Sequence, residues 1–186
     1  MNTIKLFHLV SLLLQVLGIG VMTVSAQPAD QPVVIKYEVA EDGNRFKFDD
    51  LNLFEDGMPG YGSAFVTQGY IYPVGTLNGT NGVLADGKPE FPDKVLGKWT
   101  CYGWMIGDGA HTKTGEWVIS TQVYQFNDDS TLVTDGIELV DFETPMARAI
   151  TGGTDAYRSA HGEQIQVLHG FTEQMGVNLT VEFHLD

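Results

Sequence analysis

The chain has 186 residues, 43% hydrophobic and 11% aromatic, with 24 Asp and Glu against 10 Lys and Arg and a net charge of -14. That is enough apolar material for one packed domain, and the acidity repels phosphate backbones, which excludes nucleic acid as a partner. A single cysteine, Cys101, excludes an internal disulfide framework, a thiolate zinc cage and an iron-sulfur cluster.

In chain order, Lys5 supplies a positive start, residues 6 to 22 form a mostly apolar run, and Val24, Ser25 and Ala26 offer the small residues a signal peptidase reads. Residues 1–26 are therefore expected to be a signal peptide cut after Ala26. The alternative is an uncleaved anchor, since about 17 apolar residues approach the length of a bilayer span; His8, Ser11, Gln15 and Gly18 interrupt the run and favour the signal. Cleavage predicts a secreted or periplasmic protein of 160 residues, net charge -15, with no stable membrane span. Residues 27–32 read as a flexible leader, and 33–186 as the folded domain.

From Val33 onward the dominant period is two. It is clearest at Val177, Leu179, Val181, Phe183 and Leu185, which alternate with polar residues. Further strands are expected over 33–39, 44–54, 63–73, 95–106, 147–151 and 162–169. A hairpin is expected from 116–126 and 131–140 joined at Asn127-Asp128-Asp129-Ser130. Residues 73–93, with four glycines and three prolines, form a long loop that is either a functional cover or a tolerated surface insertion. The absence of helix periodicity in the mature chain points to an all-β fold. A closed antiparallel eight-stranded barrel is the first expectation, because closure satisfies strand edges; a two-sheet sandwich is the second.

The residues Ile150, Gly152, Gly153, Thr154, Tyr157, Ala160 and Gly162 resemble the signature of the allene oxide cyclase and dirigent barrels, with Asp155 where those families carry a third glycine. The glycine pair reads as structural, and the aromatic that follows can plug one barrel end. The stretch Gly97 to Gly103 resembles the central strand of bacterial cyclase-like proteins, and Val118 to Gly136 their next hairpin. Tyr37-Glu38-Val39 resembles the plant cyclases' Tyr-Glu-aliphatic run, and Phe48-Asp49-Asp50-Leu51 their Phe-Thr-Asn stretch. Gln68-Gly69 resembles part of a dirigent strand, but Val66 stands where that strand has arginine, which places the chain nearer the cyclase-like group.

The resemblance implies a barrel, commonly a homotrimer, that holds an apolar small molecule in its lumen and needs no metal or organic cofactor. Its chemistry is isomerisation or cyclisation by control of conformation. The alternative is a non-catalytic, dirigent-like guide or carrier, and a third option is a barrel with a filled core that serves only for interaction. By the same resemblance the catalytic candidates are Glu38, Asp50 and Tyr124: a carboxylate biasing charge, a polar group in place of a water-orienting asparagine, and a lumen phenol. Each has a plain reading as well: a solvated edge carboxylate, a solvated acid and core packing. Trp99, Cys101, Tyr102, Trp104 and Trp117 are the ligand-binding candidates. Alternation puts Trp99 and Cys101 on one face and Tyr102 and Trp104 on the other, without saying which face lines the lumen. Cys101 reads as a packed thiol. No metal site is expected: His161 and His169 share strand parity but stand roughly 26 Å apart along an extended chain.

Overall fold

The computed structural model describes residues 33–186; the signal peptide and leader expected over 1–32 lie outside the described residues. Nine strands occur in chain order: β1 (Val33–Glu41), β2 (Lys47–Phe48), β3 (Ala64–Pro73), β4 (Gly97–Met105), β5 (Glu116–Phe126), β6 (Thr131–Leu139), β7 (Met146–Thr154), β8 (Gly162–Phe171) and β9 (Val177–Leu185). From β3 onward each strand pairs antiparallel with the next. β1 then closes the ring, pairing with β9 from Val33↔Leu185 to Ala40↔Asn178 and with β3 from Tyr37↔Pro73 to Glu41↔Gly69. The eight long strands make a closed antiparallel barrel, and β2 adds two residues beside β3.

Period-two alternation decides what fills it. Tyr37, Val39 and Glu41 of β1 point inward, as do Phe65, Thr67 and Ile71 of β3, Trp99, Cys101 and Met105 of β4, and the odd-numbered residues of β9, giving one continuous buried cluster. Tyr37, Phe126 and Tyr157 close one end, with ring centroids 5.2 Å apart for Tyr37 and Phe126 and 5.5 Å for Phe126 and Tyr157. Tyr157 is thus the plug that the glycine motif foreshadows. Gly153 makes room for it: a Cβ there would lie 2.4 Å from the Thr131 carbonyl oxygen and 2.6 Å from that of Tyr157, closer than any side chain tolerates. The pair Gly152-Gly153 lies inside β7, which runs three residues past the expected end at Thr151, beyond a bulge opposite Val133 and Thr134.

One expected strand changes. The strand expected over 44–54 shrinks to Lys47–Phe48, because short acidic side chains take the neighbouring amides. Asp42 accepts from Asn44 N at 3.1 Å, Asp49 from Leu51 N at 3.3 Å and Ala64 N at 2.9 Å, and Asp56 from Met58 N at 3.1 Å. The long loop after β3 is present as expected and packs on the outside of the barrel. Leu77 and Val83 pack on Ala40 and Tyr72 in a second buried cluster, and the Tyr72 hydroxyl donates to the Gly82 carbonyl at 2.7 Å.

Candidate functional site

Each candidate residue takes its place from strand parity. Glu38 is on the outer face of β1. Its carboxylate accepts the N–H groups of Gly75, Thr76 and Leu77 at 2.9, 2.9 and 2.8 Å, so it pins the start of the outer loop and does not reach the lumen. Asp50 is exposed in the turn after β2. Tyr102 and Trp104 are 44% and 54% exposed on the outer wall, whereas Trp99 and Cys101 are buried inside, which settles the face that alternation left open. Trp117 stands at the start of β5 in the lumen wall, its ring edge-on to Phe171 at 5.7 Å. Tyr124 is fully buried in the lumen. Gly152, Gly153, Thr154, Tyr157 and Gly162 build the plugged end described above. Of the catalytic candidates, then, only Tyr124 faces inward; Glu38 and Asp50 are not brought near it.

What parity does bring together is a layer of polar side chains across the middle of the barrel. The Tyr124 hydroxyl donates to Gln122 Oε1 at 2.5 Å, Gln122 Nε2 to Gln166 Oε1 at 2.8 Å, and Gln166 Nε2 to Glu138 Oε2 at 2.8 Å. Gln164 Nε2 donates to the Tyr124 oxygen at 2.9 Å. Ser120 and the Cys101 thiol both donate to Glu138 Oε1, the thiol at 3.5 Å. Arg148, from β7, sets its guanidinium 3.5 Å from the same oxygen and donates to the carbonyls of Ser120, Gly136 and Ile137 at 2.8, 3.1 and 3.2 Å. The Arg148 stem packs over Gly136, where a Cβ would lie 3.4 Å from the Arg148 Cβ and Cγ, an ordinary van der Waals distance.

A second carboxyl group, Glu41, faces the lumen from the end of β1. It is 4% exposed and accepts hydrogen bonds from the Thr67 hydroxyl and from Val177 N, the latter at 2.7 Å. The two carboxyls are held in opposite states. Burial raises the Glu41 pKa to about 7, its two hydrogen bonds pull the other way, and the negative charges of Glu138 and Asp42 reinforce the rise. Burial would raise Glu138 as well, but Arg148, Ser120, Gln166 and Gln122 together hold it below the usual carboxylate range. The Cys101 thiol is pushed well up, first by burial and then by the Glu138 charge, so it is protonated and a poor nucleophile. Burial keeps Tyr124 neutral in the same way.

Glu41 and Glu138 line one cavity, together with Thr67, Cys101, Gln166 and an apolar wall that includes Phe46, Phe65, Met105, Trp117 and Leu168. It is a small cavity of about 30 Å³, room for about two water molecules. The half-buried Phe46, Trp117 and Leu139 mark the opening, at the end opposite the Tyr157 plug. Among the described residues no group of three or more His, Cys, Asp or Glu side chains could hold a metal ion. His169 is engaged by Glu143 at 2.8 Å and Thr180 at 2.6 Å, and His184 by Glu182 at 2.8 Å.

Sequence reasoning missed Glu41, Glu138 and Arg148. The signal was present: each lies two residues, or an even number, from an inward apolar residue on its strand, namely Val39, Leu132 and Ile150.

No protein-family model and no curated protein matches this sequence. Among solved structures, the barrel is similar to a pterocarpan synthase dirigent protein, PsPTS1, with a TM-score of 0.59 and 16% identity over 84% of this chain and 97% of that one. A second pterocarpan synthase dirigent protein, GePTS1, gives 0.57 and 14% over 83% and 84%, and a pyocyanin demethylase gives 0.53 and 15% over 83% and 100%. The fold is the dirigent-type barrel. The sequence resemblance and the structural likeness meet there.

Proposed function

We propose that this protein binds a small molecule of largely apolar skeleton in the open part of its barrel and moves a proton on it, isomerising it. The observation that carries this reading is the pair of buried carboxyls on one apolar cavity, one backed by a guanidinium and the other not. Two titratable groups pushed in opposite directions by their surroundings are the arrangement that acid-base catalysis needs. Glu41, balanced near neutral pH, takes a proton from one atom of the ligand and returns it at another, so that mass is conserved and no oxidant is needed. Glu138, locked by Arg148 and its hydrogen bonds, stays negative, and its charge favours the acid form of Glu41. Tyr124 acts at a distance, as the far end of the amide chain that orients Gln166 toward Glu138. Because the cavity of about 30 Å³ is far smaller than the roughly 300–1,000 Å³ a drug-sized ligand occupies, a ligand enters only by displacing the half-buried Phe46, Trp117 and Leu139 at the mouth.

The similar structures support the reading in a general way, since by name one is a demethylase and two are dirigent synthases. The test is to extract bound small molecules from protein prepared in deuterated water and compare wild type with Glu41→Gln by chromatography and mass spectrometry. A catalyst yields a rearranged isomer from wild type, deuterium-bearing to the extent that the proton on Glu41 exchanges with water before its return, and the unrearranged precursor from the variant. Identical, unlabelled compound from both would replace catalysis with the carrier reading.

A further inference from the structure

The charge around the cavity narrows what it can hold. The up-and-down topology gathers five connections at the open end, residues 42–46, 49–63, 106–115, 140–145 and 172–176. Together they carry nine Asp and Glu against two permanent cations, Arg45 and Lys113. The connections 127–130 and 155–161 at the plugged end carry three against one, and 74–96, which leaves that end and runs back along the outer wall to meet Asn44 and Gln174, carries three against two. The acidity of the chain is therefore concentrated where the lumen opens, and a low-dielectric cleft rimmed by one sign of charge focuses its field on the entrance.

The interior continues the pattern. Glu41 and Glu138 are the ionisable carboxyls of the cavity wall, and no Lys, Arg or His side chain lines it. The nearest guanidinium, Arg148, is already committed to Glu138, to three carbonyl oxygens and to the Ser120 hydroxyl. A carboxylate or phosphate entering this cavity would meet two acids and find no free cation. A positive centre would meet those acids together with the aromatic rings of Phe46, Phe65 and Trp117, a residue type that can attract cations.

We infer that the ligand of this cavity is an organic cation or weak base: an apolar, ring-sized skeleton bearing a protonated amine or a cationic aromatic nitrogen. The inference rests on the lumen-binding reading above and adds the sign of the ligand's charge. It also fits the proposed chemistry, because a positive centre makes neighbouring C–H and N–H bonds more acidic and eases proton loss to Glu41.

The experiment titrates the full protein with three environment-sensitive dyes of similar size: a styrylpyridinium cation, neutral Nile red and the anion 1-anilinonaphthalene-8-sulfonate, each in low and in moderate salt. The cation is expected to bind once per chain and roughly tenfold or more tightly than the anion, to be displaced by Nile red, and to weaken as salt rises. Glu41→Gln, which removes the buried carboxyl and leaves the nine acids of the rim in place, should shrink the cation's advantage at least about threefold and leave Nile red unchanged. An anion bound as tightly as the cation overturns the inference, as does a cation preference that is the same in Glu41→Gln. Should that variant fail to fold, displacement and charge order in the wild type still decide. If Nile red binds once per chain without any charge preference, lumen binding stands and the cation assignment falls. If no dye saturates at one per chain, the lumen reading itself falls.

Discussion

Arg148→Met is the sharpest test of the polar layer. The guanidinium is fully buried, 3.5 Å from Glu138 Oε1, and at that distance a pair of unit charges attracts by about 5 kcal/mol at an effective dielectric near 20. Methionine keeps much of the stem volume and removes the charge, leaving Glu138 buried with neutral donors, Ser120, Cys101 and the glutamine amides, and no cation. Removing one member of such a pair costs about 3–5 kcal/mol. For a domain of this size, with 2–4 °C lost per kcal/mol, Tm should fall by roughly 6–20 °C. Guanidinium titration followed by the fluorescence of buried Trp99 measures it, with the midpoint moving and the slope unchanged. Adding Glu138→Gln should return about 2 kcal/mol or more, because the uncompensated charge is what costs most. The pH response should change sign too. In the wild type the Glu138 pKa is lowered, so its contribution is present above about pH 4.5 and is lost as pH falls through the folded value. In Arg148→Met its pKa rises, and stability should instead fall as pH climbs above 4.5. A loss below about 1 kcal/mol, or a double variant no better than the single, would refute the argument.

Glu41 gives the opposite slope. Its folded pKa of about 7 exceeds the unfolded 4.5, so its contribution is complete below pH 4.5 and about 3 kcal/mol is lost as pH rises to about 7; Glu41→Gln should flatten the stability-pH curve over that window. The groups that set the slope are Thr67 on β3, Val177 N on β9, and the charges of Glu138 and Asp42, with Arg148 acting through Glu138. Glu38→Ala should speed amide exchange at Gly75, Thr76 and Leu77 by an order of magnitude or more while leaving dye binding in the lumen unchanged, since each charge-assisted hydrogen bond contributes about 1.5–3 kcal/mol. Cys101 should resist thiol reagents in the native protein and react on unfolding, as read by absorbance with an aromatic disulfide reagent.

The barrel was legible because its strands advertise themselves: β9 alternates without a break, and the β5–β6 hairpin carries its turn residues in plain view at Asn127 to Ser130. Side-chain chemistry that competes with the backbone was less legible. Asp49 and Asp56 turn a segment whose composition suits a strand, and nothing in local periodicity says that their carboxylates win the amides. The site was harder for a related reason. Resemblance pointed to Glu38, three residues before Glu41 on the same strand, and an odd offset along a strand moves a side chain to the other face. Glu38 went to the outer loop and Glu41 to the lumen. The polar layer was hidden because Gln122, Glu138, Arg148, Gln164 and Gln166 break the apolar alternation at inward positions, which in a sequence looks like weakened strands and in the barrel is one connected network.

That network divides the interior into a plugged half and a half that holds the small cavity lined by Glu41 and Glu138. Closed eight-stranded barrels are narrow enough for side chains to fill them or to leave room for one small ligand. Here the plugged end is filled by Trp99, Leu132, Ile150, Phe183 and the aromatic stopper. The amide and ion-pair layer forms a floor whose geometry is fixed by direction-specific bonds and cannot slump into the space above it. Gly153→Ala tests the stopper without touching the floor. With 2.4 Å to one carbonyl and 2.6 Å to another, β7 and Tyr157 must separate, and a loss of about 1–3 kcal/mol, the usual cost of an inserted methyl group, is expected. Dye affinity at the open end should stay at the wild-type value if the floor isolates the two halves. A parallel fall in stability and dye affinity would mean instead that the polar layer transmits strain, and that both ends of the lumen behave as one packed core.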